Sequence, residues 1–191
     1  MTNTTAAMRP ALALLVIDIQ QGAFDGEHCP PIDDGEMLVA GARTLINAAR
    51  DGGVPIVFIQ HSEDETGAFE DGTRHWQLHP DLAPAGGDHV MKKPASSSFE
   101  RTALDQHLRG REVDALVLCG LQSEFCVSNT ARAALALGYR VFVAEDAHAT
   151  WPSDGRTSAA IRREVNESLR RAGVGVAPVA RLADDLRRPG R

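Results

Sequence analysis

Four short apolar runs constrain this chain most: "ALALLVIDI" from Ala11 to Ile19, "VPIVFIQ" from Val54 to Gln60, "VDALVLCG" from Val113 to Gly120, and "YRVFVAED" from Tyr139 to Asp146. None alternates apolar with polar residues, as a strand with one wet face would. Nearly continuous apolarity is what a strand needs when both of its faces are covered, as in a parallel sheet. Between the runs lie helical patterns. "GEMLVAGARTLINAARDGG" ends at a Gly pair, "SFERTALDQHLRGRE" follows a loop, "EFCVSNTARAALALG" closes at Gly138, and "TSAAIRREVNESLRRAG" closes at Gly173. Glycine belongs just past a helix end, where a left-handed residue stops the winding. "VGVAP" after Gly173 reads as a last strand. Strand and helix thus alternate from end to end, which implies an α/β fold with a mostly parallel sheet. The exception is Gln60 to Phe99, rich in Gly, Pro, His and acids, with at most a short strand at "HVM". Irregular segments of that length inside a compact domain tend to be covers or binding loops.

The chain has 191 residues, enough for one domain with a proper core and too few for two. Residues 1–10 and 186–191 are expected to be flexible tails, the latter because "RRPGR" reads as a frayed end. A net charge of −6 with no Lys/Arg stripe argues against nucleic acid. No apolar run reaches the roughly 18 residues of a membrane span, and no leader pattern opens the chain, so a cytoplasmic protein is expected. Three cysteines (Cys29, Cys119, Cys126), with no C-x-x-C spacing, suggest neither a disulfide framework nor a zinc ribbon.

Ligands of open α/β sheets bind outside the carboxyl ends of the strands. The residues just past those ends are Asp18, then Gln60 and His61, then Cys126, then Asp146 and His148. Cys126 falls in the first turn of a helix, where unpaired N–H groups and the dipole favour a thiolate. The same N–H groups could receive the oxyanion formed when sulfur attacks a carbonyl. The alternative is that Cys126 packs as a small apolar residue, a description that suits Cys119 inside its strand; Cys29 reads as a loop thiol. Asp18 interrupts "LLVIDIQ". A carboxylate there either serves chemistry as a base or simply ends the strand by bonding to the next loop. Gln20 is expected to orient that first loop. On residues alone "KK" (Lys92, Lys93) reads as a solvated pair.

"LLVIDIQQGAF", "KPASSSFERTALDQHL" and "GLQSEFCVSNTARAALALGYRVFVAEDAHAT" resemble, in order and spacing, the three motif blocks of the isochorismatase-like cysteine hydrolases. That superfamily holds nicotinamidases, N-carbamoylsarcosine amidohydrolase, ureidoacrylate and streptothricin hydrolases, and isochorismatases. The resemblance runs from about Leu12 to Thr150. It implies a three-layer Rossmann-like fold whose six-stranded sheet has the order 3-2-1-4-5-6, and a catalytic triad of Asp18, Lys93 and Cys126. Lys93 is preferred to Lys92 because the family's Lys precedes its Ser-x-Phe element by the spacing seen in Lys93 to Phe99. A cis peptide at Leu121–Gln122 is implied as well, with Gln122 and Cys126 N–H groups as the oxyanion hole. The chemistry implied is acyl transfer: Asp18 takes the thiol proton, Cys126 attacks an amide-like carbonyl of a small molecule, and water hydrolyses the thioester. A homodimer or larger homo-oligomer, without cofactor, is also implied.

Nicotinamidases of the superfamily carry an Asp-x-His…His metal site within "DWHP", and "FIQHSEDETGAFEDGTRHWQLHPDL" lacks it. His61, His75 and His79 do not reproduce the motif, so no metal is expected, and the stretch resembles the metal-free branch of streptothricin hydrolase-like proteins. Phe24, His61, Trp76, Phe125 and Trp151 are candidate pocket walls, against the plainer reading of ordinary packing. Enzymes that cleave the vinyl ether of isochorismate need no thiol, so Cys126 favours C–N hydrolysis. A peroxide-sensing thiol module is a further alternative, with no resolving Cys in sight. A dinucleotide-binding module is excluded because "DIQQGAF" lacks G-x-G-x-x-G. "DAHAT" (Asp146 to Thr150) is expected to buttress the rim of the site, and "SDGRTS" to start a helix.

Overall fold

The computed structural model describes residues 11–62 and 69–188. The order is β1 (Leu12–Ile17), α1 (Gly35–Asp51), β2 (Ile56–His61), β3 (His89–Lys93), α2 (Leu104–Arg109), β4 (Ala115–Leu121), α3 (Ser128–Ala136), β5 (Arg140–Ala149), α4 (Ser158–Arg171), β6 (Gly175–Ala177) and α5 (Val179–Arg187). The six strands form one sheet in the order β3-β2-β1-β4-β5-β6, and every neighbouring pair is parallel. That is the order the resemblance implied and the strand direction the apolar runs implied.

Strand β1 shows why its run is apolar throughout. Successive side chains of a strand point to opposite faces. Leu12, Leu14 and Val16 enter a core built with Leu38, Leu45 and Ile46 of α1 and Leu182 and Leu186 of α5. Ala13, Leu15 and Ile17 enter a second core with Leu108 of α2, Ala131 of α3 and Ile161 and Leu169 of α4. The sheet is therefore the middle of three layers. Helix ends follow the expected chemistry. Thr157 caps α4 by accepting from Ala160 N at 3.2 Å, and Gly138 takes φ 90° just beyond α3.

Helix α5 departs from expectation. Val179, Leu182, Ala183 and Leu186, spaced i, i+3, i+4 and i+7, bury one face of it, and Leu186 is fully buried. The chain is therefore packed through Leu186, the first residue of the tail expected at 186–191, because that apolar face has a core to enter. The tail expected at residues 1–10 lies outside the described residues. Helix α2 is shorter than its pattern suggested, since residues before Leu104 run as turns. Among the described residues, no helix is long and apolar enough to cross a membrane.

The long segment after β2 is fastened to the β1–α1 loop. Gln20 is fully buried. Its Nε2 donates to His61 O at 3.0 Å and Trp76 O at 2.8 Å, while its Oε1 accepts from His61 N at 2.8 Å. Gln60 Nε2 also donates to Trp76 O, at 3.1 Å, and the backbones pair at Gln21 N to Gln77 O, Gly22 N to His75 O and His79 N to Ile19 O. Gln20→Leu removes three part-buried hydrogen bonds, each worth about 1 kcal/mol. It is expected to lower stability by about 3 kcal/mol in urea unfolding and to open residues 69–82 to limited proteolysis.

Candidate active site

Three chain segments deliver the site to the carboxyl edge of the sheet. Asp18 directly follows β1 and holds φ 53°, in the left-handed region that Asp tolerates better than most residues. Lys93 ends β3, and Cys126 lies in the turn Ser123–Val127 that leads from β4 into α3. Because β1 pairs with both β2 and β4, the chain reverses its winding there, and the gap between Asp18 and Cys126 is the switch point.

Lys93 Nζ stands 2.8 Å from Asp18 Oδ2, 3.2 Å from Cys126 Sγ, 3.0 Å from Ala95 O and 3.3 Å from His61 Nδ1. An ammonium has three protons for these four neighbours, so its bonds can redistribute as charge moves. Lys93 is fully buried and Asp18 nearly so. Lys92, on the opposite face of the edge strand, points away. It pairs with Asp71 at 2.6 Å and lies over the Trp76 ring at 4.6 Å. Among the described residues, the Asp18 carboxylate faces the Lys93 ammonium and the Cys126 thiol, which leaves it able to accept a proton from the sulfur. Leu121–Gln122 is cis, as the resemblance implied.

Burial raises the pKa of the Asp18 carboxyl above the ordinary carboxylate range, against the pull of the Lys93 charge. Burial, then the adjacent Asp18 carboxylate, push the Cys126 thiol up to about 11. This shift runs against the thiolate that a helix start favours, because desolvation and a neighbouring anion outweigh the ammonium. What the cleft holds is a protonated nucleophile facing an unusually basic carboxylate. Cys119 fits its expected role in the core, its thiol pushed by burial up to about 12.

The candidate pocket walls divide. His61 Nδ1 lies against Lys93 Nζ, and Phe125, which directly precedes the nucleophile, is 53% exposed. Trp76 lies beside the edge strand, with Nε1 donating to Ser62 Oγ at 3.0 Å and its ring under Lys92. Trp151 anchors on Pro30 O at 2.6 Å and packs on the α1 side of the core. The turn Gln21–Ala23 brings Phe24 over the start of α1, where it lines a depression of about 450 Å³ with Val39, Arg43, His79 and Asp81.

His75 falls outside the cleft. Its Nδ1 lies 2.6 Å from Asp25 Oδ2 and its Nε2 3.4 Å from Glu27 Oε2. These ligand atoms lie within 4.8 Å of one another, and no other grouping of this kind occurs among the described residues. The Arg74 guanidinium already pairs with both acids.

Sequence reasoning missed Ser96. Ser96 Oγ lies 3.9 Å from Cys126 Sγ and accepts from Asn129 Nδ2 at 2.8 Å. Serines in a "SSS" run look like any loop; only their place between Lys93 and Phe99 singled them out.

His148 is completely buried, and burial depresses it to about 4. Between that value and the unfolded value near 6.5 the unfolded chain binds the extra proton. This residue's contribution therefore falls as pH drops through that window, by about 3 kcal/mol in all. Asp18, raised, acts in the opposite sense, so the effect is read by comparison. Urea midpoints at pH 7 and pH 4.5 are expected to fall further in the wild type than in His148→Asn.

Residues 12–172 match the isochorismatase domain family. The chain is 36% identical over 148 residues to streptothricin hydrolase of Streptomyces noursei, covering 78% of this chain and 58% of that protein. A second streptothricin hydrolase of the same organism is covered over 50% of its length, so the chain spans little more than half of these relatives. It is 29% identical over 169 residues to ureidoacrylate amidohydrolase of Cronobacter sakazakii, covering 71% of this chain and 73% of that one. Its fold superposes on the crystal structure of a candidate isochorismatase from Burkholderia xenovorans with a TM-score of 0.86 at 26% identity, over 96% of this chain and 91% of that one.

Proposed function

The chain belongs to the isochorismatase family, and from that premise we propose that it is a cysteine hydrolase. It cleaves a C–N bond of a small amide, ureido or cyclic amide compound through a thioester on Cys126. The observation that carries this reading is the meeting of Asp18 Oδ2, Lys93 Nζ and Cys126 Sγ in one cleft, at 2.8 Å and 3.2 Å from the ammonium. Two relatives named as a streptothricin hydrolase and an ureidoacrylate amidohydrolase support it.

The steps follow from the charges. Sulfur attacks the carbonyl carbon as its proton passes to Asp18, whose raised basicity suits it to this transfer. The carbonyl oxygen becomes an oxyanion, received by the N–H groups of Gln122 and Cys126. Asp18 then returns the proton to the leaving nitrogen as the C–N bond breaks. Water, deprotonated by the same carboxylate, attacks the thioester and frees the acid and the thiol. Lys93 keeps its positive charge throughout and compensates whichever of Asp18 and Cys126 is the anion. A thiol in this position is also what separates the reading from vinyl ether cleavage, which has no use for one.

The test is a panel of primary amides, ureido acids and lactams, with ammonia or amine release measured alongside the mass of the intact protein. An acyl adduct on Cys126 and loss of turnover in Cys126→Ala are expected. An adduct on another residue, or pyruvate release from isochorismate that persists in Cys126→Ala, overturns the reading.

A further inference from the structure

Behind the nucleophile's turn runs a buried polar chain that the hydrolytic steps do not use. Ser123 Oγ lies 2.8 Å from His148 Nδ1, and His148 Nε2 lies 2.9 Å from Asn166 Oδ1. Asn166 Nδ2 in turn donates to Glu145 O at 3.2 Å. Ser123 and His148 are completely buried and Asn166 is 8% exposed. The chain resembles a serine triad, but no substrate can reach its hydroxyl. Its reach is structural: it ties the turn after β4 to β5 and to α4.

The direction of every bond follows from one end. Asn166 spends its amide N–H on Glu145 O, so its oxygen is what faces His148, and Nε2 must carry the proton. A neutral imidazole protonated at Nε2 has only a lone pair at Nδ1, so the Ser123 hydroxyl donates to it. Burial keeps the ring neutral above about pH 4. Ser123 directly follows Gln122 and stands three residues before Cys126, within the turn that carries both.

We propose that His148 is a positioning residue which, as the Nε2–H tautomer and through Ser123, holds the turn bearing Gln122 and Cys126 in register with Asp18 and Lys93. The inference rests on the hydrolase reading for the role of Gln122, but not for the placement of Cys126. Packing alone would be satisfied by an apolar residue here. A buried chain in which both ring nitrogens are hydrogen-bonded specifies one position of the turn instead of several.

The two ring nitrogens can be replaced one at a time. His148→Asn puts an oxygen close to where Nδ1 was and keeps the acceptor for Ser123; His148→Gln puts a nitrogen close to where Nε2 was and keeps only the donor to Asn166. Ser123→Ala removes the hydroxyl itself. Each variant is assayed well below its own melting temperature. The first assay is alkylation of Cys126 by iodoacetamide, located by peptide mass. In it the S–C bond forms, iodide leaves and the thiol proton passes to Asp18. The second is turnover of the fastest compound in the amide panel.

Ser123→Ala and His148→Gln are expected to slow both by about tenfold, with KM little changed, because a small displacement of a reacting group is costly. His148→Asn is expected to stay within about twofold of wild type. Nitrogen NMR of the ring is expected to show the Nε2–H form. Wild-type rates in folded Ser123→Ala and His148→Gln, equal losses in all three variants, or a ring protonated at Nδ1 each overturn the inference. Alkylation needs no hydrolysis, so it decides the matter even where every amide in the panel is left intact, an outcome that removes the hydrolase reading alone.

Discussion

Asp18→Asn is expected to lower amide turnover by about 10⁴-fold while leaving the chain folded. General base and general acid steps each contribute about 10² to 10⁴, and one carboxylate serves both here, so its loss is not made good elsewhere in the cleft. Asn fills the same space, and Lys93 keeps Ala95 O at 3.0 Å and Cys126 Sγ at 3.2 Å as acceptors. The substitution also has a second, opposite consequence. The Asp18 charge is one of the causes that hold the thiol near 11; without it the thiolate is expected to form at lower pH, beside an unpaired ammonium. A variant whose sulfur ionises more easily yet hydrolyses far less separates proton transfer from nucleophile charge. Thiolate absorbance and turnover measured across the same pH range check both halves. Turnover within tenfold of wild type would show that the carboxylate is not the base.

Gly120→Ala is expected to be the most damaging single substitution for stability, at about 4 kcal/mol or more, in the range reserved for a specific structural conflict. Gly120 sits opposite Ile17 in the pairing of the two central strands. It holds φ 135°, and a Cβ there would stand 2.0 Å from Ile17 O. Neither strand can retreat, since β1 is also paired to β2 and β4 to β5. The small residue lets β4 approach β1 closely where the register with β5 shifts, between Leu118 and Gly120, just before the turn that carries Cys126. The comparison is Gly86→Ala, where an added Cβ meets nothing within 4 Å and a change within about 0.5 kcal/mol is expected. Urea midpoints and soluble yield measure both.

The strands and most of the helices were legible because their signals are local. A run such as "LALLVI" needs apolar layers on both sides wherever it ends up, and a Gly after an amphipathic stretch stops a helix whatever the helix packs against. Helix α5 carried the same kind of signal, apolar residues at i, i+3, i+4 and i+7 after Pro178, but the basic residues that follow drew the eye to a tail. The place of Phe24 was not legible, for a different reason. An aromatic just past a strand that ends at a site can turn towards the site or away from it, and the direction was decided by the turn Gln21–Ala23 and by the bare surface of Gly35, whose missing Cβ leaves room for the ring.

By itself the sequence settled which residue types were present for chemistry and which strand or loop each would follow: a carboxylate after the first apolar run, a thiol in the turn after the third, and a lysine ahead of a serine-rich loop. Only the tertiary structure decided their states. Whether Cys126 rests as thiol or thiolate, whether Asp18 is basic, and which nitrogen of His148 carries its proton depend on burial and on charges supplied by segments far apart in the chain. Those energies exist only once the sheet has brought the segments within a few ångströms of one another and excluded water from between them.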